Sequence, residues 1–175
     1  MRNEKFTGNL MQYNARLLIV DDDEDILQAA RLLLKSHFRE LITTTQPMQI
    51  EQLFAQEPFD VVLLDMNFQR GKNSGAEGIY WLRQIRQNFP ATSVVMLTAY
   101  GDVSLAMQAI REVASDFVLK PWINEKLLVT LASALKLQEA TQTADKLETV
   151  NQQLQQDLAR SFSDIIVITL MGNCM

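Results

Sequence analysis

The run Asp21-Asp22-Asp23-Glu24-Asp25 sets five acids side by side, directly after the apolar segment Leu17-Leu18-Ile19-Val20. Asp65 follows a second apolar segment, Val61-Val62-Leu63-Leu64. Thr98 follows Ser93–Leu97, and Lys120 follows Phe117-Val118-Leu119 and precedes Pro121. Carboxylates brought close repel one another, and some stay protonated unless a cation joins them. Mg²⁺ suits such a group, because it takes carboxylate oxygens while keeping water and a phosphoryl oxygen in its shell. Aspartate can act as a nucleophile and form an acyl phosphate. Phosphoryl transfer then needs mainly alignment and charge neutralisation. A lysine offers a positive point charge for the transferred group, and a threonine hydroxyl can hydrogen-bond one of its oxygens. Taken singly, each residue has an ordinary explanation: an acidic run favours a helix start, and a lone lysine is usually a surface residue. The chemistry exists only if the fold brings them to one edge.

The surrounding pattern supplies that edge. Apolar runs alternate with helical periodicity, which predicts strands at 17–20, 41–45, 59–64, 93–97 and 117–119. Between them the spacing predicts helices over 25–36, from Pro47 through Phe54, over Ile79, Leu82 and Ile85 as far as Pro90, from Asp102 to about Glu112, and from a cap at Asn124 through Leu135. Strands alternating with helices imply a parallel sheet covered on both faces. In open sheets of this kind ligands bind outside the carboxyl ends of the strands. Asp21, Asp22, Asp65, Thr98 and Lys120 all stand there.

The segments LLIVDDDEDI, VVLLDMN, VVMLTAYGDV and DFVLKPW, in this order over about residues 15–138, resemble the signature segments of response-regulator receiver domains. The resemblance implies an α/β, flavodoxin-like (βα)5 doubly wound fold with strand order 2-1-3-4-5, followed here by a C-terminal helical extension. It implies that Asp65 is the phosphoacceptor. Asp22 would bind Mg²⁺ directly and Asp21 mostly through water, with Asp65 and the backbone carbonyl of Asn67 completing the set. Thr98 and Phe117 would form the switch pair, Lys120 would bind the phosphoryl group, and the Lys120–Pro121 bond would be cis. A sensor histidine kinase would be the phosphate donor and the cytoplasm the location. The domain would assist its own phosphotransfer without being an enzyme in its own right.

The stretches LTAYGDVSLAMQAI, DFVLKPW and NEKL are similar to the receivers of NtrC-type transcriptional activators, which continue into an ATPase and a helix-turn-helix domain. The 175 residues contain no G-x-x-x-x-G-K-[ST] phosphate loop. The chain therefore reads as the N-terminal regulatory part of such an activator; the alternative is a stand-alone or degenerate receiver acting as an interaction module. A remoter alternative, an Mg²⁺-dependent phosphohydrolase with an aspartate nucleophile, needs a second aspartate where Asn67 stands.

Two features depart from the family pattern. Residues 68–74 lengthen the loop after Asp65, so that Gly75 arrives late, and Val113 stands where the family usually ends a helix with glycine. His37, at a helix end, reads as a surface or cap residue, and Trp81 and Trp122 read as packing residues. Tyr100 reads equally as a partner contact or a half-exposed packing residue.

The net charge of −5 gives no sign of nucleic-acid or anionic-membrane binding. The apolar and charged fractions, 47% and 21%, are those of an ordinary globular domain. The single cysteine, Cys174, fits a reducing compartment. Residues 1–15 are polar and unpatterned and read as a flexible arm without a signal peptide, and the receiver spans 16–138. Over 139–163 the residues Leu147, Val150, Leu154, Leu158 and Phe162 form a narrow apolar seam. That seam reads as a linker helix that pairs with a second copy in a coiled coil or folds back on the domain. Residues 164–175 break the pattern and stay unassigned.

Overall fold

The computed structural model describes residues 5–7, 10–68, 75–99, 107 and 114–172, and side-chain surroundings within 12–68, 75–99, 107 and 114–160. Runs of consecutive apolar residues need cover on both sides, and they form the inner strands. Strand β1 is Lys5–Thr7, β2 Leu10–Val20, β3 Phe38–Thr44, β4 Val61–Asp65, β5 Ser93–Ala99 and β6 Asp116–Lys120. Five strands run parallel in the order β3-β2-β4-β5-β6. This is the expected 2-1-3-4-5 order once β1 is set aside. Leu17 pairs with Leu41 and Val61, Val62 with Val94, and Leu97 with Val118.

Alternate side chains divide between two layers. On one side Leu17, Ile19, Leu63, Val95 and Val118 meet Leu27, Ala30 and Leu34 of α1 (Glu24–Leu34). Leu127, Leu131 and Leu135 of the C-terminal helix (Asn124–Gly172) complete that layer. On the other side Leu18, Val20, Val62, Leu64 and Met96 meet Ile50 and Phe54 of α2 (Ile50–Gln56) and Ile79, Leu82 and Ile85 of α3 (Ala76–Asn88). The acidic run does start α1: Asp23 is its cap, with Oδ1 accepting from the Asp25 N–H at 2.9 Å, and Glu24 and Asp25 occupy the first turn. Pro47 opens a 3₁₀ turn, Pro47–Gln49, that leads into α2.

Three expectations are revised. The arm expected to be loose carries structure: β1 pairs antiparallel with the start of β2, Lys5 opposite Gln12 and Thr7 opposite Leu10, and β2 begins at Leu10 rather than Leu17. Backbone ladders build this extension, including the Tyr13 N–H to the His37 carbonyl at 2.6 Å, so a search for apolar periodicity passes over it. Asn124 is the first residue of its helix rather than the cap, because the Ile123 carbonyl already accepts the Leu127 N–H at 3.0 Å. The helix then runs to Gly172, so residues 164–172 are helical too. Of the helix expected from Asp102 only Met107 is described, and it is helical; the other residues of that stretch, with Tyr100 and Val113, lie outside the described residues.

At the amino edge of the sheet Arg16 is 3% exposed. Its Nε pairs with Glu40 Oε2 at 2.5 Å, Nη1 donates to the carbonyls of Glu57 and Pro58, and the guanidinium lies 4.4 Å over the Phe59 ring. By contacts the chain divides into two compact units, Met1–Gln138 and Glu139–Met175. In the second, Leu147, Val150, Leu154 and Leu158 are exposed. Among the described residues no helix is long and apolar enough to cross a membrane.

Candidate functional site

Each strand delivers its polar residue where its apolar run ends. Asp21 follows β2 and is held by both ends of its backbone turn. Its N–H donates to the Thr44 carbonyl at 3.2 Å, and its Oδ1 accepts from the Asp23 N–H at 3.0 Å. Its side chain is fully buried. Asp65 ends β4 and is also buried, with Oδ2 accepting from the Asn67 N–H at 3.1 Å. Lys120 ends β6, just before a cis Lys120–Pro121 bond. Its ammonium bridges the two carboxylates: Nζ lies 2.5 Å from Asp21 Oδ2 and 2.7 Å from Asp65 Oδ1. Oxygens of Asp21, Asp22 and Asp65 all fall within 4.8 Å of one another. Thr98 is buried one residue past the Leu97 that pairs with Asp65, and its hydroxyl donates a long 3.4 Å bond to the Ala99 carbonyl. Phe117, opposite Met96 in the register, packs partly buried against the α2–α3 layer.

The electrostatics follow from placing two buried acids on one lysine. Burial, with the Asp65 charge adding to it, raises Asp21 from 3.8 to about 6, against the pull of Lys120 and the Asp23 N–H. Asp65 is also raised by burial, with Lys120 and the Asn67 and Met66 N–H groups opposing. Burial works against the charge on Lys120, but Asp65 and Asp21 together outweigh it and hold the ammonium above its ordinary value. Asp21 Oδ2 is buried and its partner is the Lys120 ammonium at 2.5 Å. A set of three carboxylates against one ammonium carries surplus negative charge and fits a hard divalent cation.

The loop after Asp65 is braced at Gly75, which the sequence marks, and at Gly78, which sequence patterns left aside. Gly75, in a left-handed conformation (φ 62°, ψ −2°), precedes α3, and its N–H donates to Asn67 Oδ1 at 2.8 Å. Gly78, inside the first turn of α3, presses on the acceptor strand. Its N–H donates to the Met66 carbonyl at 3.1 Å, and a Cβ there would stand 2.6 Å from Met66 Cα and 2.8 Å from the Asp65 carbonyl oxygen. A glycine inside a helical pattern is the signal that could have found it. Residues 69–74 of the lengthened loop lie outside the described residues.

A family model for the response regulator receiver domain matches residues 17–132. The chain belongs to that family. Over 122 residues this receiver is 34% identical to the response regulator protein PilR of Pseudomonas aeruginosa, covering 70% of this chain and 26% of PilR. It is 30% identical over 133 residues to the alginate biosynthesis transcriptional regulatory protein AlgB of the same species, covering 76% of this chain and 28% of AlgB. The chain thus spans about a quarter of the length of these relatives. Among solved structures, the N-terminal signal receiver domain of a two-component system response regulator from Bacteroides fragilis is 44% identical with a TM-score of 0.64, covering 70% of this chain and 98% of that one. Receiver domains take phosphate from sensor kinases and bind Mg²⁺ at an acidic pocket, and this chain carries such a pocket in Asp21, Asp22 and Asp65.

Proposed function

We propose that this chain is the phosphorylation-operated receiver of an NtrC-type transcriptional activator, with Asp65 as phosphoacceptor. The observation that carries the reading is Lys120 Nζ held between Asp65 and Asp21, residues of three separate strand ends, at the carboxyl edge of the sheet. A carboxylate oxygen of Asp65 attacks the phosphorus of a phosphohistidine on a sensor kinase, or of a small acyl phosphate. The bond from phosphorus to the donor breaks, the donor leaves with its electron pair, and Asp65 becomes an acyl phosphate. Asp21, Asp22, Asp65 and the Asn67 carbonyl would hold Mg²⁺, which would supply positive charge to offset the negative charge of the phosphoryl oxygens. Lys120 exchanges part of its pairing with Asp65 for the new phosphoryl group. Thr98 turns its hydroxyl toward that group, and Phe117 repacks into the space left behind. A ligand shifts two states only through contacts that differ between them, and Thr98 supplies one.

The receiver proper spans 16–138 and 139–163 is a linker helix. A homodimer forms along Leu147, Val150, Leu154 and Leu158, whose exposure on one seam supports pairing with a second copy. The resemblance of LTAYGDVSLAMQAI to NtrC-type receivers and the regulatory name of AlgB support the transcriptional role. The chain works in the cytoplasm, without nucleic-acid or membrane contacts of its own. Incubation with acetyl phosphate and Mg²⁺ followed by mass spectrometry of the intact protein tests the reading. Wild type gains one phosphoryl group, while Asp65→Asn and chelator-treated protein gain none; equal phosphorylation of Asp65→Asn overturns it.

A further inference from the structure

The lengthened loop poses a mechanical problem for the site. The chain leaves β4 at Asp65, and its next backbone N–H groups are the ones that hold the acceptor carboxylate: Asn67 N–H lies 3.1 Å from Asp65 Oδ2. Closing a longer stretch of chain costs more conformational entropy, so the backbone beside Asp65 needs ties of its own. Two bonds among described residues close the stretch at its exit. The Asn67 side-chain oxygen accepts the Gly75 N–H at 2.8 Å, across eight positions in sequence. Three residues on, Gly78 N–H donates to the Met66 carbonyl at 3.1 Å. The Gly75 carbonyl in turn accepts the Ile79 N–H at 3.1 Å, so the same glycine is tied to Asn67 on one side and to α3 on the other.

We propose that the Asn67 side chain is a positioning group for the phosphorylation site, fastening the start of the loop to its end and so holding the Asn67 backbone against Asp65. Asparagine suits the task. Its amide oxygen is an acceptor of the right reach, and it is neutral beside the carboxylates of Asp21, Asp22 and Asp65. Aspartate would keep the acceptor but add a fourth negative charge; alanine would leave Gly75 N–H without this partner. The role is separate from that of the Asn67 backbone carbonyl toward Mg²⁺. It rests on the reading of Asp65 as the acceptor only for its effect on rate.

The test compares the 175-residue chain with its Asn67→Ala and Asn67→Asp variants. Three quantities are measured: amide hydrogen exchange at Gly75, Mg²⁺ affinity from amide chemical shifts around Asp22, and the rate of phosphorylation by acetyl phosphate. In Asn67→Ala, Gly75 exchanges faster, Mg²⁺ binding weakens and phosphorylation slows by roughly fivefold, the scale of one lost hydrogen bond. Thermal unfolding stays within a few degrees of wild type, on the order expected for a surface loop bond. Asn67→Asp keeps Gly75 protected, which assigns the protection to the side-chain oxygen rather than to the amide NH2 group. Wild-type Mg²⁺ affinity in Asn67→Ala, or an unprotected Gly75 amide in the wild type, overturns the proposal. So does a slower reaction that only follows a fall in melting temperature. Should Asp65→Asn still be phosphorylated, the acceptor assignment fails, while Gly75 exchange and Mg²⁺ affinity still decide the role of Asn67.

Discussion

Lys120 and Asp21 meet at 2.5 Å although Lys120 ends β6 and Asp21 follows β2, strands separated in the sheet by β4 and β5. The ammonium reaches over the end of β4, where it also meets Asp65 at 2.7 Å. One lysine thus answers two buried carboxylates, and the site in its free state holds more negative charge than it neutralises. That imbalance sets its response to pH, to cations and to phosphate.

The first consequence is a pH dependence. Asp21 titrates at about 6 in the folded chain, above its ordinary 3.8, so the folded state binds this proton more tightly than the unfolded one. Its contribution to stability is therefore fully present below about pH 4 and is lost as pH rises through 6. Urea melts in chelator should show Asp21→Asn more stable than wild type at pH 7.5, by about 3 kcal/mol, with the gap narrowing toward pH 4.5. Added Mg²⁺ should stabilise the wild type at pH 7.5 more than the variant. Parallel pH profiles for the two proteins would rule out Asp21 as the source.

Thr98→Ala should separate chemistry from response. The buried hydroxyl makes only a long bond to the Ala99 carbonyl, so its loss costs the free fold little, on the order of 1 kcal/mol. Phosphorylation of Asp65 should persist. Chemical-shift changes around β6 on adding beryllofluoride, which mimics the phosphoryl group, should shrink strongly. Identical changes in wild type and variant would remove Thr98 from the switch.

Gly78→Ala places a Cβ 2.6 Å from Met66 Cα, too close for any atom pair to remain where it is. Backbone on both sides must yield, so we expect a destabilisation of about 1–3 kcal/mol. Phosphorylation should also slow, because Met66 and the Asp65 carbonyl are the groups displaced. An unchanged urea midpoint together with an unchanged rate would show that α3 gives way freely.

Chain cut after Gln138 should be monomeric and keep its phosphorylation. The contact-defined unit Met1–Gln138 contains both core layers and every proposed site residue, whereas the seam of Leu147, Val150, Leu154 and Leu158 lies beyond it. A lone helix with such an exposed seam is marginal in water. Sedimentation should give a larger mass, relative to the monomer, for the full chain than for the truncated one. Equal ratios would assign any dimer to the domain itself.

The sheet was readable because its strands are short apolar runs, and the carboxylate–lysine cluster because each member directly follows such a run. Asp65 after Leu64 and Lys120 after Leu119 needed only topology to meet. What escaped was carried by the backbone. The pairing of β1 with β2 uses main-chain groups and no apolar alternation, and the brace at Gly75 and Gly78 depends on a φ angle and a close approach that side-chain chemistry does not announce. Asn67 was legible as a neighbour of the acceptor, but its side-chain partner eight residues away was not.

Strand β2 carries a buried cation at one end of its apolar run and a buried anion at the other: Arg16 at 3% and Asp21 at 0% exposure, with Leu17 to Val20 at 0% between them. A slip of the strand by a single residue in either direction would drag one of these charges into the hydrocarbon interior and would turn every side chain to the opposite layer. The two charges therefore act as stops that fix the alignment of the central strand during folding. Asp21 is a member of the proposed signalling site and also one of these stops, so one side chain serves both the site and the strand's address in the sheet.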